Sequence, residues 1–180
     1  LRSALDNAGN PSSLVGVLIE GSFVPEDKDP LPVVGAHFCE VEVDHSTGVV
    51  RVLRYVAAQD VGQVINVLGC RGQIEGGVHH GIGYALCEEL VYDQGQPVNP
   101  NFMGYKVLMA SDMPVIDAVL VEIPDPDGGP FGAKGVGTPV MPAIAPAVAN
   151  AVRDALGARL HSLPLSPARV LAAIIHQEAL

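Results

Sequence analysis

Tryptophan is absent from this chain of 180 residues, and phenylalanine and tyrosine supply four residues each. Since 48% of the residues are apolar, the core must be built from closely packed Val, Ile, Leu and Ala. Basic residues are also scarce. Ten Lys and Arg stand against twenty Asp and Glu, a net charge of −10. No basic cluster exists to neutralise phosphate, which excludes nucleic-acid binding and disfavours an anionic membrane surface. The longest uncharged stretch, residues 135–152, carries Pro139, Pro142 and Pro146. It reads as a buried segment, so no membrane insertion is expected. Cysteine is limited to Cys39, Cys70 and Cys87, with no Cys-x-x-Cys pair. An odd count of isolated thiols suits buried, reduced cysteines and a cytoplasmic location, and it cannot ligate a four-cysteine iron–sulfur cluster. Residues 1–10 hold no apolar h-region, and the first residue is Leu1 in place of Met. A processed, cut or partial chain is the expectation.

What is abundant is chain punctuation, 20 glycines and 15 prolines. Seventeen of these fall in two windows, residues 69–83 and 124–146. Residues 1–30 read as a lead-in, with a possible strand at 15–23, and residues 31–180 as one unit without a linker. Cys39, Val41 and Val43 alternate with Glu40 and Glu42, residues 49–57 continue the pattern, and Asp44–Gly48 between them is turn-forming. This predicts a hairpin with one wet face. Ile74, Val78, Ile82, Leu86 and Leu90 recur every four residues and predict a helix. Gly76, Gly77, Gly81 and Gly83 lie inside it, each costing about 1 kcal/mol relative to alanine. Either another element packs very close or a ligand approaches the backbone. Asp93-Gln94-Gly95 is a turn, and residues 115–123 read as a strand. A second helix carries Ile144, Val148, Val152 and Leu156 and stops near Gly157. Residues 158–163 suggest a short strand, and a last helix starts near Pro167 with Ser166 as cap. The class is α+β, mixed β-strands with three main helices.

Common motifs fail one by one. Ala133-Lys134-Gly135 lacks the Ser or Thr of a phosphate loop, and Gly81-Ile82-Gly83 finds Leu86 where a dinucleotide fingerprint needs glycine. His79 and His80 are adjacent, so they point to different sides of a helix, and no metal-ligand set emerges. No Gly-x-Ser-x-Gly elbow is present. Asp125 and Asp127 flank prolines and read as a solvated turn.

The two glycine-dense segments are more specific. One runs Gly72-Gln73-Ile74-Glu75-Gly76-Gly77-Val78-His79-His80-Gly81-Ile82-Gly83, the other Gly129-Pro130-Phe131-Gly132-Ala133-Lys134-Gly135-Val136-Gly137-Thr138-Pro139. Together with Glu40–Asp44, Arg51–Arg54, Asp60-Val61-Gly62, Glu88-Glu89-Leu90 and Asn99–Phe102 in this order, they resemble the molybdenum hydroxylases, the xanthine dehydrogenase and aldehyde oxidase family. The likeness covers residues 31–175. It implies the fold of the C-terminal part of the molybdopterin-binding large subunit, whose enzymes hydroxylate aldehydes or N-heterocycles with oxygen from water. A molybdenum–molybdopterin cofactor does the chemistry there, and electrons leave through iron–sulfur clusters and FAD on partner subunits or domains. By the same resemblance Gln73, Gly76, Gly77, Lys134, Gly135 and Gly137 are the cofactor-binding candidates, because glycines let backbone N–H groups approach an anionic ligand.

One departure stands out. The family has a general-base glutamate after Gly-x-Gly in the second segment; here the residue is Thr138. A hydroxyl is not a useful base near neutral pH, and general-base assistance is typically worth about 10²–10⁴-fold. Thr138 followed by Pro139 also reads as a helix cap and first-turn pair. Glu75, Glu88 and Glu89 are the carboxylates that might substitute, Glu75 lying nearest Gln73 in sequence. Two functions follow as expectations: one wall of the cofactor site in an enzyme inactive without its other segments and subunits, or a non-catalytic scaffold that keeps the fold and its partner surface.

Overall fold

In the computed structural model, residues 21–24 and 31–178 are described. The strand expected at 15–23 lies outside them except for residues 21–23, which adopt no regular structure. The expected hairpin is present as β1 (Gly35–Val43) and β2 (Val50–Asp60), paired antiparallel. Its turn is held by Asp44, whose Oδ1 accepts from the Ser46 N–H and hydroxyl at 2.8 and 2.6 Å. Those bonds, the Ser46 hydroxyl foremost, lower the Asp44 carboxyl to about 2. Gly48 sits at φ +73°, and a Cβ there would strike the Pro167 carbonyl, so the turn abuts the start of the last helix.

Strict alternation along β2 does not hold. Glu40 pairs with Arg54 and Val41 with Val52, which leaves Leu53 as a bulge. The extra residue resets the phase so that Val52, Tyr55 and Ala57 all face inward. Strand β5 (Val115–Val121) runs parallel to β2 on its other side, giving the order β1-β2-β5. A parallel pair needs a crossover, and helix α1 (Val67–Leu86) supplies it. A two-residue hairpin, β3 (Tyr92–Asp93) with β4 (Gln96–Pro97), decorates the return; its Gln94-Gly95 turn takes φ of 45° and 83° at the two positions.

The second glycine-dense stretch becomes a chain of short turns. A 3₁₀ turn at Pro130–Gly132 precedes α2 (Gly137–Val140), a 3₁₀ turn at Met141–Ala143 and α3 (Ile144–Leu156). Pro139, Pro142 and Pro146 each fall in the opening turn of one of these pieces, where a missing N–H does no harm. Helix α3 ends at Gly157 in the left-handed region, as expected. Helix α4 (Pro167–Glu178) closes the chain.

Two expectations at element ends are corrected. Leu90 is not on the α1 stripe, because Glu88 N–H bonds back to the Gly83 carbonyl and its side chain folds over Gly83, reversing the chain. Residues 158–163 form no strand. No sheet edge runs beside them; Leu160 and Leu163 pack on the core instead, and Leu165 N–H bonds to the Ala85 carbonyl at 2.6 Å.

Helix α3 lies over β1 and α1 over β5, so both cover one face of the sheet. Ile74, Val78 and Ile82 of α1, Ile144, Val148 and Val152 of α3, and Val170 and Ile174 of α4 meet Val52, Tyr55 and Ala57 there. The three cysteines are unpaired, and burial pushes the Cys39 thiol up to about 12. Closeness of α1 to α3 rests on Gly81, where a Cβ would stand 2.5 Å from Ile144 Cβ and Cγ2. Because Ile144 Cβ is fixed to the backbone, it cannot rotate away. Gly81→Ala should therefore cost about 1–3 kcal/mol in denaturant unfolding, despite a better helix propensity.

Candidate functional site

Gln73, Gly76, Gly77 and His80 are spaced i, i+3, i+4, i+7 and share one face of α1. With Gly72 they form one wall of a cleft of about 450 Å³; Gly137, Thr138 and Met141 form the other. Two of the sequence segments that looked unrelated in local structure are thus brought face to face. The N–H and C=O groups of α1 stay in the helix ladder, but the helix surface here is almost bare of side chains.

The glycines of α1 divide into two classes. Gly77, Gly81 and Gly83 are demanded by packing, since a Cβ would press on Val140, Ile144 and Glu88 respectively. Gly72 and Gly76 are not: nothing lies within 4 Å of a Cβ built on either. Both border the cleft. Close packing accounts for Gly77, Gly81 and Gly83, a Cβ on Gly69 would stand 3.3 Å from the Asn66 side chain, and Gly72 and Gly76 have no packing reason among the described residues. Across the cleft, a Cβ on Gly137 would stand 2.7 Å from Gln73 Oε1, so the amide occupies space that only glycine leaves open.

Thr138 is not a helix cap. The N-cap of α2 is Val136, with no side-chain hydrogen bond, and Thr138 is the second residue of the helix, exposed on the cleft wall. A Thr-Pro start would have placed the helix two residues later; instead Gly137 takes helical geometry and the turn begins early.

Lys134 and Gly135 do not line this cleft. Lys134 borders a neighbouring recess of about 240 Å³ that it shares with Gln73, Asn66 and Val61, so Gln73 stands between the two hollows. A lysine in a glycine-rich loop is ordinarily solvated, but Lys134 is not. Its side chain is 5% exposed and its Nζ donates to Asp60 Oδ2 at 2.7 Å and to the Pro32 carbonyl at 3.4 Å. Sequence reasoning missed Asp60, which is buried at the end of β2. Burial is the largest influence on its carboxyl and opposes ionisation, but the Lys134 ammonium and the N–H groups of Gly62 and Ile123 together outweigh it and hold the carboxyl below its ordinary value. Backbone bonds reinforce this node: Lys134 N–H to Val61 carbonyl, Gln63 N–H to Gly132 carbonyl and Asp125 N–H to Gly132 carbonyl, at 3.1, 2.9 and 3.0 Å. Asp125 is likewise buried, not solvated as its prolines suggested; it accepts from Leu31 N–H at 2.9 Å and Gly128 N–H at 3.1 Å. The loop from Gly129 to Gly137 is therefore fastened to the sheet before it reaches the cleft. At its tip Phe131 takes φ +57° with its ring 86% exposed.

None of the three candidate carboxylates lines the cleft. Glu75 faces a different hollow with Arg71, Arg54 and Asp117. Glu88 accepts from the Tyr105 hydroxyl at 2.8 Å, and Glu89 from Arg169 Nη2 at 2.8 Å. His79 bonds through Nε2 to the Leu108 carbonyl at 3.0 Å, on the side away from His80.

Comparison with known proteins agrees with this geometry. Residues 16–114 match the family model of a molybdopterin cofactor-binding domain. The chain is 39% identical over 139 residues to the 6-hydroxypseudooxynicotine dehydrogenase complex subunit gamma of Paenarthrobacter nicotinovorans, covering 76% of this chain and 18% of that one. It is 36% identical over 157 residues to the xanthine dehydrogenase molybdenum-binding subunit of Escherichia coli O157:H7, covering 86% and 21%. Among solved structures, quinoline 2-oxidoreductase from Pseudomonas putida 86 superposes with a TM-score of 0.73 at 36% identity, over 78% of this chain and 18% of that one. The chain thus spans about a fifth of the length of the relatives it matches.

Lys134→Met should destabilise the fold by about 3–5 kcal/mol, because it leaves a buried carboxylate without its cation. The folded-state Asp60 is held low, so its contribution is present above the carboxyl's unfolded value and is lost as pH falls through the folded one. Unfolding curves across the acid range should show that loss in the parent protein and a flatter profile in the variant.

Proposed function

The chain belongs to the molybdopterin cofactor-binding domain family of the molybdenum hydroxylases, and on that premise we propose that the α1–α2 cleft is one wall of a molybdopterin site. The parent enzyme would be an oxidoreductase of the xanthine dehydrogenase and aldehyde oxidase type, hydroxylating an aldehyde or an N-heterocycle with oxygen derived from water. The observation that carries the reading is the pair Gly72 and Gly76, bare on a helix face that borders a cleft, with nothing among the described residues within 4 Å of a Cβ on either.

The residues present suit an anionic, extended ligand. Gly72 and Gly76 let it lie on the helix without striking a side chain. Gln73 stands beside them on an exposed turn, its amide without a hydrogen-bond partner among the described residues, so it can both donate and accept. Gly137 leaves room for that amide to swing. When bound, the molybdenum–molybdopterin group would supply the oxidation chemistry. Lys134 acts at one remove, through Asp60, by fixing the loop that presents Gly137 and Thr138.

The chain would not act alone. Iron–sulfur clusters and FAD would be carried by partner subunits, and the remaining large-subunit segment would complete the cofactor site. The sheet's outer face suits such company, since Phe38, Val115 and Val119 are exposed there. No helix among the described residues is long and apolar enough to cross a membrane. Three unpaired thiols suit the cytoplasm.

A second reading has one observation in its favour. Thr138 faces the cleft where the family resemblance implies a glutamate, which favours a non-catalytic scaffold. Turnover of the assembled complex with aldehydes and N-heterocycles separates the two: measurable product supports the enzyme, and a molybdenum-loaded complex without product supports the scaffold. Gln73→Ala tests the site itself. It should lower molybdenum content several-fold while changing unfolding stability by no more than about 0.5 kcal/mol, as expected for an exposed helical position. Full retention of molybdenum would count against the cleft.

A further inference from the structure

We propose that His80 is the proton acceptor of this cleft, taking the place left without a carboxylate at position 138. The inference rests on the reading of the cleft as a cofactor and substrate wall. It goes beyond that reading in naming the residue that handles the proton.

The lining decides the matter by elimination and by position. Gly72, Gly76, Gly77 and Gly137 carry no side chain, Gln73, Thr138 and Met141 carry no basic one, and His80 is the one lining residue with an imidazole. It follows Gln73 by seven residues on α1, two turns along the same face, so the glycines at 76 and 77 lie between the two polar side chains. His80 is exposed and has no hydrogen-bond partner among the described residues. Its neighbour His79 is held elsewhere, on the Leu108 carbonyl, with the two ring centroids 5.8 Å apart.

The charges around it are few. On α1 itself, Arg71 and Glu75 face the hollow beside β5. From the opposite wall come only Gly137, Thr138 and Met141, all uncharged. Among the described residues the ring beside that of His80 is His79. An imidazole, unlike a threonine hydroxyl, has an unprotonated form available at neutral pH. In the step assigned to it, a ring nitrogen of His80 forms the new N–H bond as the water-derived oxygen gives up its proton. The imidazolium then returns that proton to solvent through the open cleft. No electrons pass through His80; the molybdenum–molybdopterin group, when bound, would accept the two from the substrate.

The test uses the full-length subunit in its complex, with an aldehyde and an N-heterocycle as probes. His80→Gln keeps a polar side chain and removes the titration. Turnover should fall by about 10²-fold or more, with KM little changed and molybdenum content intact. The pH profile of turnover should differ between His80→Gln and the parent. Adding Thr138→Glu to His80→Gln should restore turnover, which a merely structural role for His80 would not allow. A second readout needs no activity. Diethyl pyrocarbonate modifies unprotonated imidazole, and peptide mass spectrometry follows it residue by residue. His80 should react more slowly in the molybdenum-loaded complex than in the cofactor-free one, while His45, exposed on the β1–β2 turn, reacts equally in both. The proposal is overturned if His80→Gln keeps the parent's turnover and pH profile, if loading leaves His80 reactivity unchanged, or if the loaded parent complex makes no product. A complex that assembles without molybdenum would overturn the reading of the cleft as well.

Discussion

How near α1 comes to the helical segment after Gly137 governs the rest of the structure. Two glycines set that distance. Val140 rests on Gly77 and Ile144 on Gly81, each where a Cβ would intrude. Packed helices ordinarily sit about 8–10 Å apart, set by the side chains at the contact, and glycine brings the axes to the short end. Since α2, its 3₁₀ turn and α3 follow one another without a loop, seating Ile144 on Gly81 also fixes where Gly137, Thr138 and Met141 stand. The width of the cleft is thus a consequence of core packing one to two turns away.

A second constraint acts from the sheet. The loop that leads into α2 leaves its largest apolar side chain, Phe131, in solvent, so packing alone does not hold it. Its fastening is the buried Lys134–Asp60 pair with the backbone bonds around Gly62 and Gly132. Such a pair is weak evidence for stability as such, because desolvation consumes most of the attraction. Its effect here is positional: it joins the end of β2, the Pro124–Asp125 corner and the glycine loop at one point. Packing holds one side of the cleft wall and an ion pair the other, so neither Gly137 nor Thr138 can shift without disturbing the core or exposing a charge.

Much of this was legible in the sequence, and the exceptions have common causes. Apolar periodicity located α1 and α3 because each buries a stripe against the same sheet face, and Ser166-Pro167 located the start of α4. The hairpin showed itself through alternation and the turn-forming run from Asp44 to Gly48. What periodicity could not show was anything decided by a distant partner. The Leu53 bulge depends on the register with β1, and the end of α1 depends on Glu88 folding over Gly83. Asp125 looked like a surface carboxylate and the burial of Asp60 went unseen, because their partners, Leu31 and Lys134, lie more than seventy residues away. The site followed the same rule. Glycine density pointed to Gly76, Gly77 and Gly137, and family resemblance to Gln73, yet whether a glycine served packing or a ligand required coordinates. His80 was set aside with His79 as a poor metal pair; its single position on the Gln73 face, seven residues on, was the signal that could have found it.

The central claim is that Gly76 is glycine for the sake of a ligand and not of the fold. Replacing it by alanine in the full-length subunit, and measuring unfolding stability alongside molybdenum content, tests that claim most directly. Empty space above Gly76 means the fold should gain up to about 1 kcal/mol from the better helix former, while molybdenum content falls sharply. A Gly76→Ala subunit that keeps its full complement of molybdenum would contradict the account.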